Sequence, residues 1–260
     1  MKKIAVNHLE NPSAYCVQNV YCAVVSAAQE LSFAAKVKEK ICKATHKEIP
    51  IFFTANEQSL PHLDVSLLSI KEHASKRYLY KAYVLHTGIS GKKAEEIMRH
   101  SSANFQISFL RMEDGALSMN PTFLAQAFAN LDKALCLECG VVALADVAQL
   151  YKIDLGNACF GVDVNQDALC LNLKQIRKQQ LAKTEEQELQ KQVFVLPEAW
   201  GKMAQSAKEK TPAPKLVRFN RLKKPWHYTD VPYQDYFWQY AVQSAFYYDM
   251  LEQLRTFKKM

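Results

Sequence analysis

An α/β fold with a mainly parallel central sheet is what this sequence predicts, on three observations. From Lys47 onward, short apolar runs alternate with segments of helical periodicity. Several helical segments open on a capping residue or a proline. Polar residues gather just after two of the strands, where sheets of this class bind ligands.

The elements follow in order. "IPIFFT" (49–54) is the first strand. "LPHLDVSLLSIKEH" (60–73) places Leu63, Leu67 and Ile70 on one helical face, with Ser59 as the cap and Pro61 in the first turn. "YLYKAYVLH" (78–86) is the second strand, and "SGKKAEEIMRHS" (90–101) is a helix capped by Ser90. "NFQISFLR" (104–111) alternates as the third strand, and "PTFLAQAFANL" (121–131) is a helix with proline at its start. "KALCLE" (133–138) is the fourth strand. The two polar strand ends are "TANEQS" (54–59) and "ECG" (138–140). Strand alternation puts Glu138 and Gly140 on one side and Cys139 on the other. "YQDYFWQYAVQSAFYYDMLEQL" (233–254) reads as one aromatic helix, its stripe being core packing rather than a membrane-surface face.

Outside this pattern, residues 1–46 read as a helical N-terminal extension without evident chemistry. Residues 47–210 form the core domain, and 211–260 are a basic, aromatic segment that completes it. The polar stretch 175–191 is an exposed helix or a loop, and 207–215 is a linker by its Pro and Lys content.

Composition excludes several classes. No run of 18 apolar residues exists, so no transmembrane helix is expected, and the start of the chain does not read as a secretory signal. Seven cysteines without a framework fit reduced thiols and a cytoplasmic protein. Cys136 and Cys139 form one C-x-x-C inside an apparent strand, which fits core thiols better than a redox pair or a zinc site. The net charge of +7 partly clusters in "KLVRFNRLKKPWH" (215–227). A solvated basic face is the plain account of that cluster, nucleic acid is not the expected partner, and loose attachment to the inner face of a membrane is a further expectation.

The order "IPIFFTANEQ…LDVSLLSIKEHAS…YKAYVLHTGIS", then "LDKALCLECGVVALADVAQLYKIDLG", then "KKPWHY…FWQYAVQSAFYYDML" resembles the family 8 glycosyltransferases, the glycogenin and bacterial lipopolysaccharide galactosyltransferase relatives. The match spans roughly residues 48–163 and 193–252, and "VLHTGIS", "LADVAQLYKIDLG" and "KPW" are its more specific pieces. The resemblance implies a GT-A fold, a nucleotide-sugar donor such as a UDP-sugar, a divalent metal and a glycan or lipid-linked acceptor. Metal and cationic side chains would stabilise the departing diphosphate.

Mapped position by position, the resemblance implies an altered site. The Asp-x-Asp that ends the family's fourth strand is Glu138 and Gly140 here, and the ligand histidine is Arg218. Arg221 stands for a glycine near the phosphates, Lys224 is kept, and Asn56 and Ser59 replace an acid and an aromatic near the nucleoside. Donor and diphosphate binding would therefore fall to Thr54, Ala55, Asn56, Glu138, Arg218, Arg221 and Lys224. "VNQDALCLNLKQIR" (164–177) aligns either with the family's Asp-Gln-Asp motif, making Gln166 and Asp167 catalytic, or with its acceptor strand. No metal ligand set and no cofactor are expected, because one glutamate is a poor site for a hard dication.

Two readings follow. One is a glycosyltransferase homologue of surface-glycan or lipopolysaccharide assembly, with activity that is weak, metal-independent or absent. The other is a non-catalytic partner or regulatory subunit of an active glycosyltransferase, or a glycan-binding module, on the same fold; a homo-oligomer is also allowed.

Overall fold

The computed structural model describes residues 47–112, 120–179, 192–203, 213–219 and 223–257. The extension expected at 1–46 and Arg221 lie outside these residues.

The first strand, β1 (Glu48–Thr54), is the centre of the fold. It pairs in parallel with β2 (Leu79–His86) on one side and with β4 (Ala134–Cys136) on the other. Beyond β2 lies β3 (Phe105–Arg111), again parallel. Beyond β4 the sheet changes character. Strand β7 (Ala168–Leu171) runs antiparallel to both β4 and β6 (Phe160–Val162), and β8 (Val193–Val195) closes the edge in parallel with β6. The resulting order is β3-β2-β1-β4-β7-β6-β8, a mixed sheet that is mostly parallel. A second sheet of three short strands, β5 (Val142–Ala143), β10 (Leu216–Arg218) and β9 (Lys202–Met203), draws the C-terminal segment onto the loop that follows β4.

The near-continuous apolar runs of β1 and β2 are explained by burial on both faces. Ile49, Ile51 and Phe53 point to one side with Tyr80, Ala82 and Val84; Phe52 points to the other with Tyr83 and Leu85. The first side is covered by α1 (Leu60–Glu72) through Leu60, Leu63, Leu67 and Ile70, and by Ile97 of α2 (Gly91–Met98). The second is covered by α3 (Pro121–Ala127) and α5 (Leu173–Gln179) through Phe123, Leu124, Leu173 and Ile176. Between β5 and β6 lies only the single turn α4 (Ala148–Tyr151).

Helix α1 is buried on both sides. Its outer face carries Val65, which packs with Phe237, Tyr240 and Ala241 of α6 (Gln234–Ala241) and Met250 of α7 (Tyr247–Phe257). Ser90 caps α2 through the Lys93 N–H, and Asn120 caps α3 ahead of Pro121. Ser59 stands at the start of α1 without capping it, because its hydroxyl bonds back to the carbonyl of Asn56.

Helix α2 stops at Met98 rather than 101, and three further boundaries differ from the sequence reading. The α3 helix stops at Ala127 rather than 131, since Phe128 leaves the helical region to pack edge-on against Phe52. The aromatic helix expected at 233–254 is two helices. It breaks at Ser244, whose hydroxyl donates to Asp64 Oδ2 at 2.6 Å and accepts the Phe246 N–H at 3.0 Å. Strand β4 ends at Cys136, so Glu138 and Gly140 lie in a loop and strand alternation does not orient them.

Candidate functional site

The carboxyl ends of β1 and β4 meet. The Cys139 thiol donates to the Thr54 carbonyl at 3.2 Å, tying the 54–59 loop to the 138–140 loop. Burial pushes that thiol up to about 12 and raises Cys136 further, so both cysteines stay protonated core groups, as the sequence suggested. Asn56 and Ser59 are engaged with each other: each backbone N–H donates to the other's side chain, at 2.9 and 3.0 Å. Ala55 is buried, with its N–H on the Leu85 carbonyl.

Gly140 makes the turn away from β4 with φ +93°, a conformation that favours glycine. Its N–H is shared between the His62 carbonyl and the Ser66 hydroxyl of α1. A Cβ here would sit 2.6 Å from the Trp226 ring. Glycine is therefore required twice, by the backbone and by the indole that covers it. Trp226 in turn stacks on His62 with ring centroids 3.7 Å apart. Burial pushes the His62 imidazole down to about 4, and Lys224 and His227 act in the same direction. The neutral ring donates from Nε2 to Gln253. Lys224 lies over the other ring of this pair, its Nζ 5.6 Å from the Trp226 centroid.

The decisive feature is Arg218, at the end of β10. It is only 3% exposed. Its Nη1 donates to Asp163 Oδ2 at 2.6 Å and to Asp167 Oδ2 at 2.7 Å, while Nη2 lies 3.0 Å from Glu138 Oε2. One guanidinium thus joins three carboxylates from two different loops. Burial alone would lower its pKa, but Glu138, Asp167 and Asp163 outweigh that effect and hold it above the usual arginine value. The cluster has an inside and an outside: the Asp163 side chain is 1% exposed and that of Glu138 is 56% exposed. Arg218 Nε is buried without a hydrogen-bond partner.

Asp163 is fixed by its own turn. Its Oδ1 accepts the N–H groups of Asn165 and Asp167 at 2.8 and 3.0 Å. Gln166 sits inside that turn at φ +66°, a conformation uncommon for a residue with a side chain. Gly201 closes the far side, where a Cβ would stand 2.2 Å from the Asp163 Cβ.

Of the residues singled out from sequence, Glu138, Asp167 and Arg218 come together, and Gln166 shares their turn. Thr54 adjoins through Cys139, and Lys224 stands by Trp226. Asp163, His62, Ser66 and Gly201 escaped the sequence reading. The acids spaced four apart in "DVNQD" were the one available signal for Asp163. The basic cluster at 215–227 is largely committed inward or sideways: Arg218 is buried, Lys215 bonds Gln149 and lies over Trp200, and Lys223 pairs with Asp230. Among the described residues, no group of three or more His, Cys, Asp or Glu side chains is arranged to hold a metal, and no helix is long and apolar enough to cross a membrane.

With this geometry the fold can be placed. No family model matches the sequence, and no curated protein matches it significantly. Solved structures do. The chain is similar to the apo structure of the bifunctional glycosyltransferase WbbM, with TM-score 0.68 and 15% identity over 82% of this chain and 53% of that one. It is similar to the glycosyltransferase GlyE of Streptococcus pneumoniae TIGR4, with TM-score 0.64 and 15% identity over 81% of this chain and 64% of that one. It is also similar to an active-site mutant of LgtC, with TM-score 0.57 and 15% identity over 76% of this chain and 96% of that one. The chain has a GT-A glycosyltransferase fold. It spans about half of WbbM and just under two thirds of GlyE.

Proposed function

We propose that this protein is a divergent family 8-type glycosyltransferase homologue of bacterial surface-glycan or lipopolysaccharide assembly. Its donor pocket faces a nucleotide sugar such as a UDP-sugar without a divalent metal, so transfer is weak, metal-independent or absent. The observation that carries this reading is Arg218, buried between Glu138, Asp163 and Asp167 at the carboxyl ends of the strands.

The metal implied by the resemblance does not fit this donor set. A hard dication wants several oxygen ligands. Gly140 supplies none and is covered by Trp226, and a guanidinium already draws on the acids. Lys224, whose ammonium lies over the Trp226 ring, is the cation we assign to a diphosphate. Gln166 and Asp167 are the candidates nearest the reacting sugar. Their support is the left-handed backbone of Gln166 within the acid-rich turn.

Titration calorimetry tests the reading. UDP-sugar should bind with the same affinity in manganese and in chelator, and Lys224→Ala should weaken binding roughly tenfold. A strong manganese requirement would contradict it. The mutual engagement of Asn56 and Ser59, which leaves the nucleoside side of the pocket with closed turn residues, favours a second reading: a non-catalytic partner of an active glycosyltransferase, or a glycan-binding module. Absence of nucleotide-sugar binding in both conditions would select it.

A further inference from the structure

We propose that the corner formed by the end of α1, the turn before β2 and the start of β1 is a docking surface for an anionic bilayer. It lies at the amino ends of the strands, opposite the candidate donor pocket, and is independent of what that pocket binds.

The surface is assembled around Tyr78. Lys76 and Arg77 precede it in the exposed turn that leads into β2. The Lys47 carbonyl accepts the Leu79 N–H, which sets Lys47 beside it at the start of β1. Lys152, just after α4, lies over the Tyr78 ring with its Nζ 4.7 Å from the centroid. Lys71 stands in the last turn of α1, its carbonyl bonded to the Ala74 N–H. Lys47, Lys76, Arg77 and Lys152 are exposed, and Lys71 is half-buried. Among the described residues none of these five forms an ion pair. The exposed acids of the corner are Glu72 and Asp154, and Glu48 is taken by Lys81. The sequence just ahead of Lys47 has the same sign, with Lys36, Lys38, Lys40 and Lys43 against Glu39.

The basic cluster at 215–227 does not supply such a face: Arg218 is buried, Lys215 bonds Gln149 and Lys223 pairs with Asp230. At the Tyr78 corner four of the five cations are lysines, compact charges on flexible stems that follow a fluid anionic surface rather than fork onto one phosphate. They surround a tyrosine, a residue type that sits at headgroup level. Clusters of about four to eight such bases suffice to hold an anionic leaflet. Docked this way, the protein holds its pocket about 20 Å from the bilayer, the length of the seven-residue β1 at about 3.3 Å per residue, open to a glycan that extends from the membrane.

Vesicle co-sedimentation of the full chain tests the surface, with no nucleotide present. Wild-type protein should pellet with vesicles of phosphatidylcholine and about one third phosphatidylglycerol, and stay in solution with pure phosphatidylcholine. Salt between about 0.1 and 1 M should release it as the charges are screened. Lys76→Glu with Arg77→Glu should weaken vesicle binding about tenfold or more, and Lys47→Glu with Lys152→Glu should do the same from the other side of the ring. Lys174→Glu with Lys178→Glu, an equal change of charge on the exposed face of α5, should bind as the wild type does. All these positions are exposed, so the variants keep the fold. Failure to pellet with the anionic vesicles, or an equal loss in the α5 variant, would overturn the proposal. So would tighter capture by polyglutamate or a single-stranded oligonucleotide than by the vesicles at physiological salt, which would assign the surface to a protein or nucleic-acid partner.

Discussion

Two buried ionisable groups in this protein are handled in opposite ways. Arg218 is a permanent cation placed where loops from two parts of the sheet converge, and it collects three carboxylates. Asp64, on α1, is a fully buried carboxyl group: its Oδ2 accepts the Ser244 hydroxyl at 2.6 Å, and its Oδ1, which takes no hydrogen bond, lies 3.0 Å from His100 Nε2. The Asp64 node joins α1 to the turn after α2 and to the break between α6 and α7. Its partners lie between packed helices, away from any strand end, and it serves assembly. The Arg218 cluster opens to solvent on its Glu138 side, at the edge where ligands of such sheets bind.

Breaking the cluster should have the largest effect. Arg218→Ala leaves Asp163 buried and uncompensated, and a loss of about 3–5 kcal/mol is expected in urea unfolding. Arg218→Lys should recover only part of it, since an ammonium cannot offer the same fork.

Acid should act next, through His62. Its imidazole is neutral in the fold down to about 4, whereas in the unfolded chain it takes a proton near 6.5. Between those values the unfolded state binds the extra proton, so stability falls as pH falls through that window, by at most about 3 kcal/mol. His62→Gln should flatten the stability–pH curve there, which unfolding series at several pH values would show.

Asp64→Ala comes third. It removes the acceptor of Ser244 and the neighbour of a mostly buried histidine, and should cost about 1–3 kcal/mol. It should leave UDP-sugar binding unchanged in titration calorimetry, which separates the two nodes. The smallest effect belongs to Glu57, which accepts from the Ser90 N–H and pairs with Lys93 at the surface, where water and salt screen the charges. Glu57→Gln should leave the midpoint unchanged within error at physiological salt.

The body of the fold was legible because it is apolar and periodic. The short apolar run Ile49 to Thr54 read as a strand, which the structure buries on both faces, and Leu63, Leu67 and Ile70 read as one face of a helix. The site was legible in its parts and not in its assembly. Glu138, Asp167 and Arg218 are distant in sequence, and nothing local announces that a guanidinium will be buried between acids. Gly140 read as a missing acid, whereas its side-chain-free backbone is what admits Trp226. The aromatic C-terminal run hid its own break, since Ser244 is set by a partner 180 positions away.

The central claim is that the strand-end site carries its own cation. Crystals of the wild-type protein grown with millimolar manganese and UDP-galactose test it most directly. The prediction is density for the Arg218 guanidinium between Glu138, Asp163 and Asp167, with no anomalous manganese peak beside them. A manganese peak at Glu138 with Arg218 displaced would contradict it.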